Sequence, residues 1–286
     1  MHKHEKPERD NPQMKRKLGI EEIHSITLEL MDQFHIICEK NGLKYYLNYG
    51  TLIGAIRHKG FIPWDDDFDI MMEREDYNKL LSLLEKETTG RYRLITRGNT
   101  PNYYNGIARF CDTKYEYITE LDVKQYQQGI FIDVYPLDSC ADTEEEADII
   151  HKKIQKLNAK YIIYCNRKSL TSKINTIIRT PYYAYLHLRY GKHFGQKIEE
   201  MTKKIIYSHL DRQTKNVCIY WESRDFRLIP RKWLQERELW PFEDRQYWIT
   251  KEYDAFLRLH YGDYMQLPPE SERIATHNYS VYEKDA

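Results

Sequence analysis

The chain has 286 residues with a formal net charge of +0, 31% charged and 41% hydrophobic side chains. That suits a folded globular protein of one large domain or two small ones, and it lacks the basic excess of an electrostatic nucleic-acid binder. Five scattered cysteines without a Cys-x-x-Cys pair, no run of membrane-spanning length and no apolar h-region argue against a disulfide frame, a zinc site, a spanning helix and a signal peptide, and for a reduced, cytoplasmic protein.

Residues 1–17 are polar, with two prolines, and are expected to form a flexible tail. From Ile20 to Lys40, Ile23, Ile26, Leu30, Phe34 and Ile37 recur three or four apart, which predicts a helix ended by Asn41-Gly42. Leu43 to Tyr49 reads as a short strand. Gly50 to Arg57 reads as a turn entering a short helix, with Gly50 allowing close backbone approach and Thr51 as N-cap. A glycine-opened helix start presents unpaired N–H groups and partial positive charge, which suits phosphate. Pro63 leads into an expected strand from Asp65 to Met71. Alternation along it puts Asp65, Asp67 and Asp69 on one face and Asp66, Phe68 and Ile70 on the other. Three carboxylates on one face in apolar company call for a cation, and an all-oxygen donor set suits Mg²⁺ or Mn²⁺.

Glu73 to Glu87 is a second amphipathic helix, with Tyr77, Leu80, Leu81 and Leu84 inward and Thr88-Thr89-Gly90 closing it. Tyr92–Thr96 and Ile107–Asp112 read as strands, the second carrying Arg109, whose guanidinium fork could reach a phosphate. In the strand Gly129–Tyr135, Ile130, Ile132 and Val134 face one side; Phe131, Asp133 and Tyr135 face the other, and Asp133 needs a partner. Thr143 and Glu146 form a capping box that opens a helix running to about Arg167. A basic, Tyr-rich helical region follows to about His209, broken at Pro181 and Gly191, its Lys and Arg residues read as a solvated face. Lys215 to Trp248 turns strand-like, with Pro230 and Pro241 in turns. Tyr253–Tyr261 is a short helix closed by Gly262, and the polar residues beyond Arg273 are expected to be loosely held.

Three stretches together carry a resemblance. They are Tyr49-Gly50-Thr51-Leu52 through Arg57-His58-Lys59-Gly60-Phe61-Ile62-Pro63-Trp64-Asp65-Asp66-Asp67-Phe68-Asp69 to Arg74-Glu75-Asp76-Tyr77; Gly129-Ile130-Phe131-Ile132-Asp133-Val134-Tyr135-Pro136-Leu137-Asp138; and Tyr261-Gly262-Asp263-Tyr264-Met265 with Pro268, Pro269 and Arg273. The chain resembles the LicD family, named for bacterial choline-phosphate transferases and related to fukutin and fukutin-related protein. The resemblance covers about residues 20–275. It implies an α+β fold: a nucleotidyltransferase-type mixed sheet core with flanking helices and a helical insertion. The expected organisation is a catalytic core at 18–140, the insertion at 141–214 and a segment at 215–286 packing back on the core, with no linker to mark a domain boundary.

The resemblance also implies transfer of a phosphorylated alcohol from a CDP-linked donor, CDP-choline favoured, to a sugar hydroxyl of a cell-surface glycan, with release of CMP. The acceptor would belong to lipopolysaccharide, teichoic acid or capsule. If it is lipid-linked, the enzyme would meet it in peripheral contact at the cytoplasmic membrane face. Asp67 and Asp69 are the expected main metal ligands and Asp65 a further ligand or orienter. Asp133 is the third carboxylate of the nucleotidyltransferase scheme, bridging a second metal or acting as base. Gly50 and Thr51 would hold the diphosphate; Arg57, His58, Lys59 and Arg109 would neutralise it. Alternative donors are CDP-ribitol and CDP-glycerol, and a choline cage among Tyr103, Tyr104 and Tyr126 is one reading of the tyrosine surplus. Two rival classes remain: an Mn²⁺-dependent glycosyltransferase, and an inactive nucleotide-binding module.

Overall fold

The computed structural model describes residues 16–85, 90–119, 128–166, 173–208, 213–221, 226–275 and 279–284. It opens with α1 (Ile20–Asn41), β1 (Tyr46–Leu47), α2 (Tyr49–Ile53), β2 (Asp69–Glu73) and α3 (Arg74–Leu84). Next come β3 (Tyr92–Ile95), β4 (Ala108–Asp112), β5 (Tyr115–Thr119) and β6 (Ile130–Cys140). Three helices follow: α4 (Glu144–Cys165), α5 (Lys173–Tyr190) and α6 (Phe194–Tyr207). The chain ends with β7 (Asn216–Cys218), β8 (Ile229–Pro230), β9 (Arg237–Phe242), β10 (Arg245–Thr250), α7 (Tyr253–Tyr261) and β11 (Tyr279–Glu283). The fold is α+β.

Its centre is a mixed sheet in the order β1-β2-β6-β4-β3, with β7 and β8 extending from the far end of β6. β2 runs parallel to β6, and β4 runs antiparallel to it. One face of β6 buries Ile130, Ile132 and Val134 against the core that α1 covers through Leu30, Met31 and Phe34. That face follows the alternation read from the sequence. The other face carries Phe131, Asp133 and Tyr135. β6 runs five residues past Tyr135, because Pro136 to Cys140 continue the ladder toward β7.

The α1 helix ends where Gly42 adopts the left-handed conformation, with φ 62°. Thr143 accepts from the Glu146 N–H and starts α4. α4 and α6 enclose a second small core of Tyr161, Tyr164, Phe194 and Ile198. Pro181 does not break α5: the helix runs through it. Pro241 lies within β9, in a hairpin with β10 whose turn is made at Glu243, φ 53°. Pro181 removes one bond of the α5 ladder at an exposed position, where water can take its place, and Pro241 lies in a two-stranded hairpin outside the central sheet. The segment beyond Arg273 also departs from expectation. Tyr279–Glu283 pairs with β5, and Val281 is buried there. Of the expected tail, residues 1–15 lie outside the described residues, while Lys17 bridges to Tyr282. Thr88 and Thr89 also lie outside them. The five cysteines are buried thiols.

Candidate active site

Register brings the chemistry together. Asp69 of β2 stands opposite Asp133 of β6, and Asp133 stands opposite Arg109 of β4. Directly opposed residues on paired strands share a face. Two carboxylates and a guanidinium therefore form one row across three neighbouring strands. Asp69 and Asp133 are buried, at 6% and 7% exposure. Arg109 Nε donates to Asp133 Oδ1 at 2.7 Å, and its Nη1 donates to Gln128 Oε1 at 3.0 Å. Its guanidinium lies 3.7 Å over the Phe131 ring. The sequence reading puts Arg109 on a donor phosphate; the structure pairs it with Asp133.

The acidic stretch is not one strand. β2 begins only at Asp69, so Asp65 and Asp67 precede the ladder and do not share a strand face with it. The cause is local. Asp65 closes a turn by donating its N–H to the Ile62 carbonyl, and its own carbonyl accepts from the His24 ring at 2.6 Å. The Asp66 carbonyl accepts from the Tyr279 hydroxyl at 2.6 Å. Side chains, not a neighbouring strand, satisfy these backbone groups. Sheet pairing resumes at Phe68, whose carbonyl accepts from the Asp133 N–H at 2.9 Å.

The first turn of α2 adjoins the row at Asp69. A Cβ on Gly50 would lie 2.5 Å from Asp65 Oδ2, so the Asp65 carboxylate rests directly against the helix start. Helix and strand are joined by Thr51, whose hydroxyl accepts from the Asp69 N–H at 2.8 Å. Thr51 is thus inside the first turn and is not the N-cap; Asn48 occupies that place. Asn48 is fully buried and neither end of its amide has a hydrogen-bond partner. The helix continues as a π-helical turn, Gly54–His58. There Arg57 donates to the Tyr264 and Gln266 carbonyls at 2.7 and 3.2 Å. Burial, and then nearby Arg273, lower its pKa. His58 is likewise lowered by burial and by Arg57, and meets the Trp64 ring edge-on. Lys59 caps the turn in the left-handed conformation. These three basic residues sit at the far end of the helix, with Arg57 tying it to the 264–266 segment.

An aromatic wall that sequence reasoning had not singled out stands beside the row. Tyr49, with φ 43°, meets Tyr135 at 5.2 Å and His260 at 5.6 Å between ring centroids. Tyr135 could have been found from its place on the Asp133 face of β6. His260 could not, because α7 joins the site only through the fold. Of the suggested cage, Tyr103 is fully buried with its hydroxyl on the Ile107 carbonyl, and Tyr126 lies outside the described residues.

Among the described residues no three His, Cys, Asp or Glu side chains already converge as a metal would need. The donor chemistry nevertheless fits a hard divalent ion. Two carboxylates on adjacent strands, about 5 Å apart, repel by roughly 3 kcal/mol at an effective dielectric near 20. Arg109 balances one negative charge of the pair, and Asp65 borders the start of α2. The orphaned Asn48 amide lies where α2 leaves β1.

Residues 42–164 match the family described as LicD/FKTN/FKRP, nucleotidyltransferase domain. Over 270 residues the chain is 29% identical to the lipopolysaccharide cholinephosphotransferase LicD of Haemophilus influenzae, covering 93% of this chain and 99% of that protein. A shorter stretch of 80 residues is 40% identical to an uncharacterized protein of Rickettsia typhi, covering 28% of this chain and 26% of that one.

Proposed function

We propose, from the premise that the chain belongs to the LicD family, that it transfers phosphocholine from CDP-choline to a sugar hydroxyl of a lipopolysaccharide-type glycan and releases CMP. The observation that carries this reading is the Asp69–Asp133–Arg109 row, joined at Asp69 to the first turn of α2 by the Thr51 hydroxyl.

In the reaction, the acceptor oxygen attacks the phosphorus that bears choline. The bond from that phosphorus to the bridging oxygen breaks, and CMP departs with its electron pair. Asp67 and Asp69, with Asp65 as a further ligand or orienter, would hold Mg²⁺ or Mn²⁺. When bound, the ion supplies charge neutralisation on the diphosphate and on the leaving oxygen. Asp133, held by Arg109 opposite Asp69, would take the proton from the attacking hydroxyl. Arg109 orients Asp133 and adds positive charge beside the transferred group. Backbone N–H groups at Tyr49 to Thr51 face the diphosphate with the positive end of α2. The Tyr49, Tyr135 and His260 wall offers ring surface to a quaternary ammonium.

The test is to offer purified protein CDP-choline, CDP-ribitol, CDP-glycerol, UDP-glucose and GDP-mannose with deacylated lipopolysaccharide and Mg²⁺. CMP release confined to CDP-choline is expected. CMP released only from CDP-ribitol or CDP-glycerol would move the reading to that alcohol. Turnover of a nucleotide sugar alone would replace it with glycosyl transfer.

A further inference from the structure

Helix α5 carries an apolar face turned away from the protein. Ile174, Ile177, Ile178, Tyr182, Tyr185 and Leu188 are all exposed, Ile177 at 71% and Leu188 at 89%. At 100° per residue they fall within an arc of about 140°. The opposite side holds the helix down. Leu186 is buried, and the His187 ring stacks on Tyr164 of α4 at 4.0 Å while a ring nitrogen donates to the Tyr164 carbonyl at 3.0 Å. The anchoring of α5 itself therefore fixes the apolar arc toward solvent. Contiguous apolar surface of this kind marks a docking face.

Charge identifies the occupant. From Ile149 to Ile198 the sequence holds eleven Lys and Arg residues and no Asp or Glu, in a chain whose net charge is +0. Lys173, Arg189 and Lys192 are exposed along or just beyond α5. A second copy of this chain would bring the same positive charge to the contact and be repelled. An anionic lipid surface accepts both the apolar arc and the basic flanks, whose long stems let the charges reach headgroups. Tyr182 and Tyr185 suit the headgroup boundary, with an apolar ring and a polar tip. No helix among the described residues is long and apolar enough to cross a membrane, so the contact would lie in the interface plane.

We propose that α5 is a membrane-surface helix that docks the protein on an anionic phospholipid bilayer. This stands on α5 alone and is independent of the group transferred. The test is flotation of the full chain with vesicles of phosphatidylcholine, and with vesicles in which a third of the lipid is phosphatidylglycerol. Binding to the anionic vesicles, weakened by high salt, is expected. The doubly substituted Ile177→Asp, Leu188→Asp variant should keep the wild-type melting temperature, since both sites are exposed, and lose about tenfold or more of vesicle affinity. No binding to anionic vesicles, or binding that the variant retains, overturns the proposal. So does a concentration-dependent dimer, seen by light scattering and abolished by the same substitutions, without vesicle binding.

Discussion

Replacing Gly50 by Ala separates the site from the fold. Gly50 lies in the first turn of α2, and its φ is not positive, so alanine can take the backbone without strain. Helix propensity even favours the change by roughly 0.5–1 kcal/mol. What alanine meets is Asp65: the new Cβ would sit 2.5 Å from Oδ2 and 3.6 Å from Cγ. A carbon–oxygen contact needs about 3.3–3.5 Å, so the carboxylate has to move by roughly 1 Å. The atom met is the end of a rotatable side chain and not backbone, so the melting temperature should stay within a few degrees of wild type. In the proposed site the displaced Asp65 carboxylate stands beside the diphosphate, so its shift disturbs the positioning there. A displacement of about 1 Å in a positioning group costs on the order of 10² in rate. CMP release from CDP-choline, measured beside a thermal melt, should show kcat/KM lowered about 10²-fold in a fully folded protein. Wild-type kcat/KM in Gly50→Ala would refute the cradle, and so would a loss that only tracks the folded fraction.

Asp67→Asn and Asp69→Asn should each lower metal-dependent CMP release by several orders of magnitude, since charge neutralisation and positioning carry phosphoryl transfer; the initial rate at saturating Mg²⁺ reads this. Arg74 donates to both oxygens of the fully buried Asp138 at 2.7 and 2.6 Å. Arg74→Ala should therefore cost about 3–5 kcal/mol in urea unfolding, because the remaining carboxylate is buried without its cation. A Cβ on Gly129 would lie 1.6 Å from the Asp112 carbonyl oxygen, a backbone atom that cannot rotate away. Gly129→Ala should accordingly lose at least about 3 kcal/mol in urea unfolding, or fail to accumulate as soluble protein.

Much of this site was legible because β-strand alternation is local. Placing Phe131, Asp133 and Tyr135 on one face of β6 required only their spacing, and α1 and α4 announced themselves by apolar period and cap. The departures arise where distant segments intervene. Asp65 and Asp66 alternate like strand residues, yet their carbonyls are taken by His24 and Tyr279, which lie 41 and 213 residues away in the chain. The strand character of Tyr279–Glu283 comes from its pairing with β5, which its polar sequence does not advertise. Arg109 and Asp133 were each read toward a ligand, and nothing in the sequence shows that they face each other across two strands. Thr51 looked like a helix cap because threonine before an apolar run usually is one; its hydroxyl instead joins α2 to β2.

Binding of Mn²⁺ in the presence of CDP-choline, followed by loss of the free-ion electron paramagnetic resonance signal, tests the central claim without relying on turnover. The wild-type protein should bind the ion, and Asp69→Asn should weaken binding at least about tenfold while melting at the wild-type temperature. Equal Mn²⁺ binding by the two proteins would contradict the assignment of Asp69 as a metal ligand.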